Sequence, residues 1–600
     1  AVVGVLNRSD NDVSAIIKDS TVNTYGNVSV MADSLNITGN SASASTYDYS
    51  MQRPATFEGG IKDKVKALSG NLNINIFDKI KGINTVPGTK ETLLQGGGAF
   101  VWNVTDNNTT AKIENSTINN TGKANNVTVQ ATTIDLMKNN TYAESAGEEK
   151  IGLGLAVIYN DETNTTTANI DGSTVNAKSV LVDAQTELPM NMGQLSFGLK
   201  LPFKIKGVDT IQIGGNFASE ANGKWDISLA DPINVNYDDP DFDLSGTLKQ
   251  NVLTTYENLK PKAKMSGFFN NLSKTQTKAS TAAIAGSVVY NEVKNNTTAD
   301  ITNESKIMLA DGGSLIVNAV NSVIGYNAAG MIDFLIKQIN YKIPGQPDYK
   351  YQPEVEAGTF GLGFNFLWND YTNDATAKIE NSSVIAPNGS VDVRSATEQA
   401  YITITMTGGK AKSVGIDGSI HRQILEGTTL ASISNTTKEE KAKNIISAKT
   451  VNVNAGKAKV RTAGGAMSRI TPKMIKEDKE KADDDETKLN LTDAVVWYLS
   501  RNAQRDAEET ITNIIAQGAW TTQSSGGENS SSVGIAVGAS VNVTDIDRSV
   551  KAEINNYVMS ADDVTVDSDS LTQSLNIEIA AAFSGGVDKD QADSTKKTKK

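Results

Sequence analysis

The chain has 600 residues, 38% hydrophobic and 21% charged, with a formal charge of −13 from 56 Lys plus Arg against 69 Asp plus Glu. That balance repels nucleic acid and anionic bilayers, and the Lys-rich end at Lys596–Lys600 is too short to reverse it, so no nucleic-acid role is expected. The lack of cysteine excludes disulfides, thiolate catalysis and Cys-based metal sites, and 49 glycines without a three-residue period exclude collagen.

From Ala1 the chain enters a repeated pattern directly, without a basic and apolar leader, so no signal peptide is expected and both ends read as cuts in a longer polypeptide. No apolar run approaches the roughly 20 residues of a membrane-spanning helix. A weak first copy spans residues 2–32, with Asn7, Ala15/Ile17 and Val28/Val30/Ala32. Four strong copies follow at 99–131, 155–184, 286–319 and 357–396. Each has an alternating apolar strand ending in an aromatic residue and Asn: Trp102–Asn103, Tyr159–Asn160, Tyr290–Asn291 and Trp368–Asn369. A polar Asn/Thr-rich turn is expected next, then an A-x-I strand at Ala111/Ile113, Ala168/Ile170, Ala299/Ile301 and Ala377/Ile379. A V-x-V-x-A strand closes the copy, as in Val127/Val129/Ala131 and Val180/Val182/Ala184. Weaker copies lie at 412–455, with His421 near the expected Asn position, and at 531–566, with Asn542 there.

Such short strands cannot stand alone, and stacking successive turns would protect them. The expected fold is therefore an all-β repeat protein, an elongated parallel β-solenoid (β-helix) with partly helical inserts. At roughly 25 residues per coil it would hold about 16–18 coils. The expected division is a solenoid segment at 1–53, an insert at 54–95, repeats at 96–185 and a large insert at 186–281. A repeat at 282–328, an insert at 329–357, repeats at 358–465, a charged and helical insert at 466–530 and a last repeat at 531–600 complete it. Within the inserts, Thr492–Gly518 is the clearest helix, with Thr492 as cap and Gly518 as stop. Residues 61–81 and 251–274 are candidates for shorter helices.

The recurring Asn residues suit left-handed turns better than stacked amide ladders, because the copies lie tens of residues apart. Asp231, Asp238, Asp239, Asp241 and Asp243 crowd one insert; a solvated turn is favoured over a structural calcium site, since the spacing is not that of an EF-hand. His421, the single histidine, lacks a nucleophile and a carboxylate at any telling spacing and reads as a scaffold substitution. Trp102, Tyr159, Tyr290 and Trp368 read as packing residues before sugar-stacking ones. The N-x-[ST] triplets at Asn103, Asn115 and Asn295 follow from composition. No catalytic, cofactor-binding or metal residue is assigned, and no cofactor is expected.

On the aromatic–Asn, A-x-I and V-x-V-x-A copies, the chain resembles the repetitive passenger of fusobacterial filamentous adhesins, the leukotoxin-type family. The resemblance implies export by an outer-membrane translocator to the bacterial cell surface, or secretion, and contact with a host-cell protein, a glycan or partner bacteria. The expected function is thus a non-enzymatic adhesin passenger. The alternatives are a leukotoxin fragment acting on leukocytes, a structural spacer of a giant surface protein, or a polysaccharide-active β-helix enzyme.

Overall fold

The computed structural model describes residues 1–46, 94–120, 126–146, 150–188, 219–221, 224–226, 270–330, 355–456, 510–522, 535–570 and 572–585. Its first sheet has seven strands in chain order, every neighbouring pair parallel. They are β1 (Val2–Lys18), β2 (Leu94–Glu114), β3 (Ile151–Asp171), β4 (Ala282–Thr302), β5 (Phe360–Glu380), β6 (Val414–Ser434) and β7 (Ile535–Asn555). The expected polar turn after each aromatic–Asn pair does not exist. Strand, period-two burial and all, runs straight through Asn107–Thr110 and its equivalents.

The reason lies inside. Ala15, Ala111, Ala168, Ala299, Ala377, Ala431 and Ala552 form one row across the sheet, and Ile17, Ile113, Ile170, Ile301, Ile379, Ile433 and Ile554 form the next. These rows pack against Val127/Val129, Val180/Val182 and their counterparts in the second sheet, making the main apolar core. The Thr and Asn residues before them also point inward, where they pair with one another. A polar sequence can therefore remain strand because its side chains satisfy each other across rungs.

A corner ends each of these strands. Asp19, Asn115, Gly172, Asn303, Asn381 and Asn556 take left-handed backbone, with φ of 48°, 47°, 56°, 55°, 48° and 56°. Asn and Gly tolerate this region best. The following serines knit successive corners: the Ser20, Ser116 and Ser173 N–H groups donate to the hydroxyls of Ser116, Ser173 and Ser305 at 3.0, 2.9 and 3.1 Å. At β6 the corner instead carries the Lys438–Lys443 helix, whose N-cap Thr437 accepts from the Glu440 N–H.

The second sheet has 16 strands among the described residues, 11 of them on its main path, and includes Val28–Thr46, Val127–Ala146, Val180–Leu188, Asn271–Ala279, Ser314–Gly330, Val355–Ala357 and Ser383–Ala411. It curls through 276° and is nearly closed into a barrel. The expectation of an open, elongated solenoid of short strands is corrected accordingly. Strands of the first sheet reach 21 residues and Ser383–Ala411 reaches 29, and a sheet of such long strands bends around the core rather than ending at each corner. The expected 25-residue coil is corrected as well, since the nearest rungs are 54 to 57 residues apart in the chain.

Two excursions, 189–270 and 331–354, interrupt a strand that later resumes, and the first carries the short antiparallel pair Ser219–Ala221 and Lys224–Asp226. Leu188 pairs with Val323 and Asn271 with Asn327, while Gly330 pairs with Met406 and Val355 with Gly409. The expected helix over Thr492–Gly518 is corrected where it is described: Thr510–Thr522 is a strand, paired in parallel with Thr572–Gly585. The β-branched residues Thr510, Ile511, Thr512, Ile514 and Ile515 suit a strand even though the three isoleucines are spaced as on a helix. The expected 251–274 helix also fails at its end, because Asn271–Ala279 is strand. The 61–81 helix lies outside the described residues. Among the described residues, no helix is long and apolar enough to cross a membrane.

Candidate functional site

The first sheet has an inner face and an outer face with distinct chemistry. Inside, Asn7, Asn103, Asn160 and Asn291 form an amide ladder, each Nδ2 donating to the next Oδ1 at 2.6, 2.9 and 2.8 Å. A second ladder runs through Asn11, Asn107, Asn164, Asn295 and Asn373 at 2.7, 2.7, 2.9 and 2.7 Å. The opposite sheet supplies a third through Asn40, Asn139, Asn271 and Asn327. The turn role expected for the aromatic–Asn residues is corrected to stacked amides. Left-handed turns do use Asn, but at the corner residues Asn115, Asn303, Asn381 and Asn556. A zigzag of hydroxyls links Thr109, Thr133, Thr166, Thr186 and Thr297 at 2.7 to 2.8 Å. Asn103 and Asn295 are fully enclosed, so neither sequon can accept a glycan in the folded chain.

The interior also holds titratable groups. Asp135 and Glu162 share a hydrogen bond; burial raises Asp135 to about 6 and Glu162 well above the usual carboxylate range. Asp183 is raised to about 6 by burial, although Asn318 and Gln185 donate to it at 2.7 and 2.8 Å. His421 does not occupy the Asn row. It continues the apolar row of Val101, Ile158, Val289 and Leu367, and Gln423 holds the Asn position. Asn542 follows His421 in that apolar row, and Thr544 follows Gln423. The His421 Nδ1 lies 3.6 Å from Glu578 Oε1, both side chains enclosed. Burial lowers His421 to about 3 and raises Glu578 to about 8, so the pair is neutral at pH between those values.

Outside, the four aromatic residues stand in one row. Trp102 and Tyr159 stack at 4.2 Å between ring centroids, Tyr159 and Tyr290 at 5.2 Å, and Tyr290 and Trp368 at 6.2 Å. The Arg422 guanidinium covers the last face, 4.6 Å from the Trp368 ring. The ring faces are occupied by one another, so the row offers ring edges and phenol hydroxyls rather than stacking platforms.

Two residues further along each strand lies a row of carboxylates, Asp161, Glu292 and Asp370, paired rung to rung. Alternation along the strand puts them on the same outer face as the rings. The Tyr290 hydroxyl donates to Glu292 at 3.0 Å, and Tyr159 bonds Asp161. Lys294, one alternation further, forms an ion pair with Glu292. This contact holds Glu292 below the ordinary carboxylate range. Asp161 is raised, first by partial burial and then by the Glu292 charge, and Asp370 is raised for the same two reasons. Tyr290 is pushed up to about 12 by burial and by Glu292.

No sequence motif singled out these carboxylates. The signal is an aromatic–Asn–acid triplet at Tyr159–Asp161, Tyr290–Glu292 and Trp368–Asp370, which Trp102–Val104 lacks. The acidic cluster Asp231, Asp238, Asp239, Asp241 and Asp243 lies outside the described residues.

The corrected fold also corrects the functional expectation. A nearly closed, almost entirely parallel β barrel is an architecture of the kind seen in enzymes, so the non-enzymatic adhesin passenger no longer follows from it. The adhesin, leukotoxin and autotransporter vocabulary attached to that passenger loses its structural ground for the same reason. The resemblance to fusobacterial passengers stands on the repeat residues alone: no protein-family model, characterised protein or solved structure matches the chain.

Proposed function

We propose that the chain is a polysaccharide-active β enzyme whose outer carboxylate row cleaves glycosidic bonds. The observation that carries this reading is the neighbouring pair Asp161 and Glu292, whose proton affinities are pulled in opposite directions. Two carboxyls with separated affinities are the usual signature of an acid and a base sharing one reaction. Adjacent rungs of a parallel sheet are about 4.8 Å apart, near the roughly 5–5.5 Å between the two carboxyls of retaining glycosidases.

In this reading protonated Asp161 gives its proton to the leaving glycosidic oxygen, and ionised Glu292 attacks the anomeric carbon. The resulting glycosyl ester is then hydrolysed by water that Asp161, now a carboxylate, deprotonates. Tyr290 and Lys294 hold Glu292 in place and charged. The aromatic edges beside the row supply apolar surface for sugar C–H groups.

Incubation with purified neutral and acidic polysaccharides, followed by measurement of new reducing ends, tests the reading. Active wild-type protein and a loss of about 10²-fold or more in D161N and E292Q are expected. Wild-type protein that releases no reducing ends from any of them would overturn it and leave the rigid-spacer alternative.

A further inference from the structure

Resting on the glycosidase reading, we propose that the substrate of the outer carboxylate row is a polysaccharide free of anionic groups, laid across the strands with its reducing end towards β2 and cut at internal bonds. Asp161 on β3 and Glu292 on β4 are partners in the register, so the line between them crosses the strands. In a retaining cleavage the two carboxyls flank the bond that breaks, the acid beside the leaving oxygen and the nucleophile beyond the anomeric carbon. That bond, and the sugar chain it belongs to, therefore runs from rung to rung rather than along a strand. Glu292 marks the sugar that is attacked and Asp161 the part that leaves. Sugars towards the non-reducing end consequently lie over β4, β5 and β6, and those towards the reducing end over β3 and β2.

The surface supports a chain on both sides of the cut. The aromatic row continues past the pair to Trp102 on β2 in one direction, and to Trp368 on β5 and Arg422 on β6 in the other. Its steps of 4.2, 5.2 and 6.2 Å between ring centroids are close to the length that one sugar adds to an extended chain. Each rung thus offers one edge to one sugar, and the cut falls inside the row rather than at its end. Charge selects the class of polymer. Asp106 on β2 and Glu426 on β6 stand exposed one alternation further along their strands, in the row of Lys294. Among the described residues, the cations of these rows over β2 to β6 are Lys294, paired with Glu292, and Arg422, paired with Asp545. An anionic polymer would meet carboxylates with no cation left to receive it, whereas a neutral or amine-bearing one meets no such barrier.

Mixed-linkage β-glucan, xylan, galactomannan and partly deacetylated chitin serve as probes, with polygalacturonate as the anionic comparison. On whichever of the first four is cut, viscosity should fall well before reducing ends accumulate. Polygalacturonate should be cut at least about 10-fold more slowly at low salt. Direction is read from a pentasaccharide of the cleaved polymer, labelled at its reducing end. W102A weakens the reducing-end side and should shorten the labelled product, while W368A weakens the other side and should lengthen it. Both shifts are read from turnover, so they report folded protein alone. Three results overturn the proposal and leave the glycosidase reading intact: viscosity falling only in step with reducing ends, polygalacturonate cut as fast as the others, or product shifts that are absent or reversed. Reducing ends from none of the five polymers removes that reading and the proposal with it.

Discussion

At the scale of single residues, one inward and one outward position show how charge and hydrogen bonding are placed. Lys294 holds Glu292 ionised, and Asp161 keeps its proton above the ordinary carboxylate range. Activity that needs Glu292 charged and Asp161 protonated should therefore follow a bell, its acid limb set by Glu292 and its alkaline limb by Asp161. K294M removes the contact that lowers Glu292, so the acid limb should move up in pH and the bell narrow. An unchanged acid limb in the kcat/KM profile would separate Lys294 from the chemistry. Inside, Asn164 accepts from Asn107 and donates to Asn295 and Glu162. Asn164→Ala leaves enclosed amides and a carboxyl short of partners and should cost about 1–3 kcal/mol. The urea midpoint followed by tryptophan fluorescence would show it, and no shift would mean that the ladder adds nothing to stability.

At the scale of elements, the interrupted strands make a sharp prediction. Gly330 and Val355 flank residues 331–354, yet their partners Met406 and Gly409 are separated by only Thr407 and Gly408. Replacing 331–354 with two strand-compatible residues should give one continuous strand and leave the thermal midpoint unchanged; a fall of several degrees would show that the segment supports the core. The A-x-I and V-x-V-x-A rows were legible in the sequence because period-two alternation reports burial directly. The amide ladders were not. Asn103 and Asn160 are 57 residues apart and Asn160 and Asn291 131 apart, and nothing local says that they touch. The polar stretch between them looked like a turn because burial of Asn and Thr is visible only once their partners are known. Thr510–Thr522 is hidden for a related reason: Ile511, Ile514 and Ile515 are spaced as on a helix, and only strand partners as remote as Thr572–Gly585 make the segment a strand. The carboxylate row was hidden by the same distance, since Asp161 and Glu292 become neighbours only through the register.

At the scale of the molecule, the enclosed acids set a pH dependence. Asp135 and Asp183 are raised to about 6, Asp417 to about 7 and Glu578 to about 8, all first by burial. For an acid raised on folding, the stabilising proton is present below the unfolded carboxylate range and is lost as pH climbs through the folded value. His421, lowered to about 3, acts oppositely: its contribution is complete above the ordinary imidazole range and fades as pH falls through the folded value. Four raised acids outweigh one lowered imidazole from about pH 5 to about pH 8, so the melting temperature should fall across that interval. Differential scanning calorimetry would check the slope, and a higher melting temperature at the alkaline end would contradict it. H421L should remove the loss on the acid side alone.

The register between rungs has a kinetic corollary. Contacts that close at separations of 54 in one place and 131 in another cannot form by local zipping. Each rung must wait for a distant stretch of chain to return and find its place on a template already built. The wait depends little on how far the chain has wandered, since doubling a loop adds only about 0.6 kcal/mol of closure entropy. Folding should therefore be slow everywhere but not much slower across the longest excursions, and the growing edge stays bare until the next rung arrives.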